Sequence, residues 1–134
     1  MRTKPNSKAL HITLWISQGL LAAAFGMAVY LKLTAPIDQL LANGMTFVTE
    51  YSESSVRLIG LAELLAAIGL ILPTALRKVT ILTPLAALGL AIVMILASQY
   101  HMTHNEPAIA TMVFLVISLF IAWGRFSKAP IQSK

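Results

Sequence analysis

The run Leu58-Ile59-Gly60-Leu61-Ala62-Glu63-Leu64-Leu65-Ala66-Ala67-Ile68-Gly69-Leu70-Ile71-Leu72-Pro73 carries one carboxylate in an otherwise apolar stretch. Together with the residues before it, the run reaches the roughly 20 residues a helix needs to cross a hydrocarbon core. An ionisable group inside such a span costs roughly 2.5–3.5 kcal/mol on insertion scales, so Glu63 should face a partner or a wet cavity and not lipid. The stretch reads as a membrane-spanning helix with a polar spot on its bundle face.

Three further segments match it. The four candidate spans are approximately 10–33, 56–76, 79–100 and 108–126. Backbone groups in lipid must be satisfied within the segment, which makes each span a helix. The expected fold is all-α: four transmembrane helices in an antiparallel bundle, forming a single membrane domain over residues 1–134. Composition agrees, since the chain is 57% hydrophobic and 11% charged, against about 25% charged in soluble domains. The basic start followed by an apolar run resembles a signal peptide. A signal core is only about 7–15 residues long, however, so a retained first span is expected.

Charge gives the expected orientation. Arg2, Lys4 and Lys8 precede the first span, Arg77 and Lys78 join the second to the third, and Arg125, Lys128 and Lys134 follow the fourth. The other two connections hold Asp38, Glu50, Glu53 and Glu106. An excess of Lys and Arg marks cytoplasmic connections, so a multi-pass protein of the cytoplasmic (inner) membrane with both termini cytoplasmic is expected. The basic residues are divided among short segments and do not line one face, which excludes the footprint of nucleic-acid binding. The lipid bilayer is the partner that composition implies. Trp15 and Trp123 read as anchors at the interface.

The first outer connection contains Pro36, then Ile37, Leu40 and Leu41 at helical spacing, then Asn43-Gly44. This predicts a short amphipathic helix at the surface, ended by residues that tolerate the left-handed conformation of a C-cap. A packed lid over the bundle is expected in preference to a gate.

Two basic residues can reach Glu63. Side chains lean toward a helix's N-terminus, so Lys32 at the end of the outgoing first span and Glu63 on the returning second span converge. Arg57 lies on another side of Glu63's own helix and makes a poor direct partner, but it can border the same cavity. Gln99, Tyr100 and His101 lie at a similar depth. The candidate polar pocket is therefore Glu63, Lys32, Arg57, His101, Tyr100 and Gln99. His101, His104 and Glu106 form an H-x-x-H-x-E string with no further ligand in view, and the expectation is solvated loop side chains and no metal. Gln18, deep in the first span, should bond another helix. Ala22 with Gly26, Ala62 with Ala66, and Ala87 with Ala91 are small-xxx-small pairs suited to close packing, with Gly60, Gly69 and Gly89 adding flat surface.

The chain has no cysteine. That excludes disulfides, CxxC redox pairs, thiolate metal sites and a cysteine nucleophile. Phosphate-binding glycine loops and Ser/His/Asp sets are also missing.

Leu31-Lys32-Leu33, the run Arg57 to Glu63 and its continuation Gly69-Leu70-Ile71-Leu72-Pro73 resemble the DoxX-like family. Thr83-Pro84-Leu85-Ala86-Ala87-Leu88-Gly89-Leu90, the segment His101 to Glu106 and Ala122-Trp123-Gly124-Arg125 fit the same pattern. The resemblance implies a four-helix integral membrane protein. Its namesake is a membrane subunit linked to thiosulfate oxidation with quinone as acceptor, and other relatives are associated with oxidative stress and thiol homeostasis. Cysteine-dependent thiol–quinone chemistry does not carry over to a chain without cysteine. Lys32, Gly60, Glu63 and Pro73 carry over as a candidate polar site.

The resulting expectation is an accessory or quinone/lipid-binding subunit of a membrane redox system, with no intrinsic catalysis. Quinone is its candidate cofactor, none is bound covalently, and its partner is a membrane oxidoreductase subunit or a second copy of the chain. The alternatives are a small proton-coupled transporter using Glu63 and a purely structural bundle.

Overall fold

A computed structural model describes residues 5–132. Arg2, Lys4 and Lys134, which helped to set the expected orientation, lie outside the described residues. Among the described residues are five α-helices: α1 (Pro5–Thr34), α2 (Ile37–Ala42), α3 (Glu53–Leu76), α4 (Leu82–Thr103) and α5 (Ile109–Trp123). A 3₁₀ turn, Thr46–Thr49, follows α2, and a π-helical turn, Gly124–Lys128, continues α5. No strand occurs among the described residues. Four helices are long and apolar enough to cross a membrane; α2 is not one of them.

The long helices pack in chain order, α1 on α3, α3 on α4 and α4 on α5, and α5 closes back on α1. Leu14, Leu21, Phe25, Leu70, Leu90 and Ile121 form the centre of the shared core. The outward faces are equally apolar: Ile16, Leu20, Met27, Leu58, Leu65 and Ile109 are all exposed. Large apolar side chains on both the inside and the outside of a bundle are what lipid as solvent requires. The protein is a multi-pass membrane protein.

Below, the end holding the turn at 77–81 and the C-terminal segment is the base, and the end covered by α2 is the roof. At the base the sequence expectation for the third span needs correcting. Its helix runs Leu82–Thr103, not 79–100, because residues 77–81 are used to reverse the chain. Arg77 and Val79 both take positive φ there, 55° and 47°. Hydrophobicity alone cannot mark where the turn ends, because its last residues include the apolar Val79 and Ile81. The fourth span, short as an α-helix, gains length through the π-helical turn, so that Ile109–Lys128 covers 20 residues.

Two prolines are absorbed differently. Pro84 lies in the first turn of α4, where its missing N–H would have no intrahelical partner anyway. Pro73 lies inside α3 and removes the donor that would serve the carbonyl four residues back. The Thr83 hydroxyl replaces it, donating to the Gly69 carbonyl oxygen at 2.9 Å. Helices α3 and α4 approach closely here: a Cβ on Gly69 would sit 2.9 Å from the Ala86 Cβ.

The roof is built as the sequence predicts except at Leu41, which was expected on the apolar face with Ile37 and Leu40 and is exposed. α2 starts after Pro36 and stops at Asn43, with Gly44 at φ 91°. Leu40 is fully buried and packs with Ala35, Val48 and Val56 in a second small core. The connection is a packed lid, and Leu41 on its other face stays exposed.

The small-residue pairs divide. Ala87 and Ala91 are buried, Ala22 packs against the main core, and Gly60 approaches α1. Gly26, Gly89 and Ala62 instead face outward. Gly26 and Gly89 have nothing within reach of an added Cβ. A small-xxx-small spacing does not say which side of a helix meets a neighbour, and at those positions the neighbour is elsewhere.

Candidate functional site

Beneath the roof is a cavity of about 360 Å³. Helix α1 contributes Ala24, Ala28 and Lys32 at four-residue spacing, and α3 contributes Ile59 and Glu63 at the same spacing. Residues that far apart share a helix face, so each helix turns one stripe toward the space. Val93, Ala97, Tyr100 and His101 of α4 and Phe114 of α5 complete the wall, while Met45 and Phe47 from the connection lie above. Most of this lining is apolar.

Among its polar residues is a buried ion pair. Lys32 Nζ donates to Glu63 Oε1 at 2.6 Å, with the side chains 12% and 2% exposed. The sequence expectation that these two heads converge is what the geometry has. Lys32 also sits in the last turn of α1, where the helix dipole favours a cation, and its ammonium lies 5.7 Å from the centre of the Phe47 ring. Close approach of the helices makes this pairing feasible: a Cβ on Gly60 would come within 2.9 Å of the Lys32 Cβ. Glu63 Oε2 is buried and has no hydrogen-bond partner. A buried carboxylate oxygen in that condition is costly to leave unmet.

Arg57 has a different job from the one expected. It lies outside the cavity lining. Its NH1 donates to the Lys32 carbonyl oxygen at 2.6 Å and its NH2 to Glu53 Oε1 at 3.1 Å. The usual helical donor to that carbonyl would be the N–H of residue 36, and Pro36 has none. Arg57 thus closes the end of α1 and holds Lys32 in place through its backbone. Gln99 is exposed and faces away from the cavity.

A clasp of polar contacts joins the roof to the turn after α4. Thr46 donates to Glu106 Oε2 at 2.7 Å, and His101 Nδ1 lies 2.8 Å from Glu106 Oε1. His104 Nε2 lies 2.7 Å from Glu50 Oε1, and its Nδ1 lies 2.8 Å from the Tyr100 carbonyl oxygen. Both ring nitrogens of His104 face acceptors, which suits the imidazolium form with two donors. The hydrogen bond to Glu50 raises the His104 pKa above its ordinary value. Hydrogen bonds from Thr46 and then His101 hold the Glu106 carboxyl below its ordinary range. The Tyr100 ring stacks on His104 at 3.9 Å. The H-x-x-H-x-E residues are thus divided between Glu106 and Glu50, and no cluster suited to a metal is found among the described residues.

The base holds a second polar group that the sequence reading did not assemble. Gln18 bonds another helix as expected, donating to the Leu70 carbonyl oxygen and to the Thr74 hydroxyl. Its Oε1 accepts from Arg125 Nε at 2.7 Å. Arg125, read from sequence as a flanking charge, is 3% exposed, and its NH1 also meets His11 Nδ1 and the Ala129 carbonyl oxygen, each at 2.9 Å. Thr74 and Thr83 join their hydroxyls at 2.8 Å. The signal was Gln18 itself: an amide that deep needs partners for both ends, and Arg125, one turn beyond an apolar segment, leans back toward it. Close contact of α1 with the π-helical turn fixes the arrangement, since a Cβ on Gly124 would fall 2.6 Å from Leu14 Cδ1.

No curated protein and no solved structure matches the chain. The model of the DoxX-like family does, over residues 16–124. That stretch runs from the first helix to the start of the π-helical turn and includes the cavity, the Lys32–Glu63 pair and the roof. With four spanning helices in the expected order and more than half its length matched, the chain belongs to the DoxX-like family.

Proposed function

We propose that the protein binds a small, largely apolar ring compound of the quinone class in the roof-end cavity, and that it serves a membrane redox partner without a catalytic centre of its own. The observation that carries this is Glu63: a buried carboxylate with one oxygen held by Lys32 and the other unpartnered, beside an otherwise apolar space. Ligand sites of this kind are mostly apolar with a few placed polar groups, and their volumes run from about 300 Å³ upward. A single ring suits 360 Å³, and an attached chain would lie among the lipids. Phe25, Phe47 and Phe114 offer ring faces, and Lys32 offers a donor to a ring carbonyl.

The same reading sets the protein in the cytoplasmic membrane with its base inward, supported by Arg77, Lys78, Arg125 and Lys128 at that end. Photolabelling tests the site. A short-chain benzoquinone carrying a photoreactive group should label α1 and α4 around Ala28 and Ala97 in protein reconstituted in lipid nanodiscs. Unlabelled quinone should compete, and the K32M/E63L double variant should lose the label. Labelling that ignores competitor, or that falls evenly over the outward faces, rejects the reading. Proton-driven uptake into vesicles that disappears in E63Q would favour transport instead.

A further inference from the structure

His101 is the cavity residue with chemistry left over. It lines the space with Lys32 and Glu63, yet its Nδ1 is committed to Glu106 at 2.8 Å. Glu106 also receives the Thr46 hydroxyl on its other oxygen at 2.7 Å. With Thr46 donating to one oxygen and an ionised carboxylate able only to accept, the proton in the His101–Glu106 contact is assigned to Nδ1. The neutral ring then has a bare Nε2. A carboxylate that fixes the tautomer of an imidazole and supports its cationic form is how a histidine is made a proton acceptor. Glu106 is held below its ordinary pKa by these same two hydrogen bonds, in keeping with that role.

We propose that His101, positioned by Glu106, accepts a proton from a ligand in the cavity, and that this ligand carries an ionisable ring hydroxyl. The inference rests on the reading of the cavity as a ligand site. In the step, the ligand O–H bond breaks, the proton passes to His101 Nε2, and the bonding pair stays on the ligand oxygen. No electron moves to the protein. The imidazolium is then paired with Glu106, and the Lys32 ammonium faces the anion within the same cavity. The other ionisable groups around the space are Glu63 on α3, Tyr51 on the connection and Tyr100 on α4; His104 and Glu50 pair with each other at the clasp. Helix α5 contributes only uncharged residues, Thr111 and Phe114.

A hydrophobic nitrophenol, whose anion absorbs visible light, separates ionisation from binding. The full-length protein in nanodiscs is titrated with this phenol, total binding is measured by equilibrium partition against empty discs, and the anion is read by its absorbance. In the wild type the bound phenol should ionise about one pH unit below the value in empty discs, a roughly tenfold change in the anion-to-neutral ratio at fixed pH. H101F should abolish that shift and E106Q should reduce it, read in each case on the phenol that the variant still binds. E106Q keeps the side-chain shape, so it decides the matter if H101F fails to fold. Bound phenol that stays neutral in the wild type, or ionises equally in the folded variants, overturns this inference alone. Absence of specific binding overturns it together with the cavity reading.

Discussion

The two ends of the bundle each bury charge, and they treat it in opposite ways. At the base, Arg125 gives its hydrogen atoms to Gln18, His11 and Ala129, and Gln18 passes the chain on to Leu70 and Thr74. No buried side-chain nitrogen or oxygen in that cluster lacks a partner. At the roof, Lys32 satisfies one oxygen of Glu63, and the other is buried without a partner on a residue that lines the cavity. A fully bonded buried network fixes how helices dock. An incomplete one beside a cavity is where a ligand can supply the missing group. On the proposed reading, the base is architecture and the roof is where a ligand is recognised.

Breaking the roof pair on one side should give the largest effect. K32M strands Glu63 as an uncompensated buried carboxylate, and loss of one partner from a buried pair costs about 3–5 kcal/mol. Removing both charges in K32M/E63L should restore most of that stability, because apolar replacement of a buried pair is often neutral or better. Thermal unfolding in nanodiscs measures the difference. A double variant as unstable as K32M would mean that the pair itself holds the helices together.

At the base, R125M leaves Gln18 Oε1 without its donor and should cost about 1–3 kcal/mol with ligand binding unchanged. Equal loss of binding would dissolve the distinction between the ends. G60A falls between the two regions in kind: its Cβ must displace α1 at Lys32, and overpacking of this sort costs about 1–3 kcal/mol. Because the displaced residue is part of the pair, G60A should weaken quinone binding as well as lower the unfolding temperature. Lowered stability with full affinity would show that the cavity tolerates movement of Lys32.

The smallest effect concerns the clasp and its pH dependence. The His104 pKa is raised above 6.5, so its contribution is complete below that value and fades as pH rises through the higher folded-state value. The Glu106 pKa is lowered below 4.5, so its contribution is present above that value and lost as pH falls through the lower one. The clasp should therefore be tightest between those two ordinary values. Protection of the Thr46–Glu50 backbone amides, corrected for the intrinsic rise of exchange with pH, should fall toward alkaline pH in the wild type and not in E50Q. Protection that is flat across that range would remove the clasp from the account.

Much of this was legible in the residues. Four apolar runs gave four spans because lipid leaves the backbone no alternative, and the lean of side chains toward a helix's N-terminus was enough to pair Lys32 with Glu63. The role of Arg57 was hidden because it depends on a missing N–H at Pro36, in the link between α1 and α2. The burial of Arg125 was hidden because a cation after a span reads as a flank until the contact between Gly124 and Leu14 is known. Gly26 and Ala62 show the limit of spacing as a guide: it gives a stripe on a helix but not the direction the stripe faces.

The most direct measurement compares two variants on two scales. Unfolding temperature and quinone affinity are measured in nanodiscs for K32M/E63L and for R125M. The account predicts a crossing, with K32M/E63L near wild-type stability and without specific binding, and R125M less stable with affinity retained. Wild-type affinity in K32M/E63L, or lost affinity in a folded R125M, would contradict it.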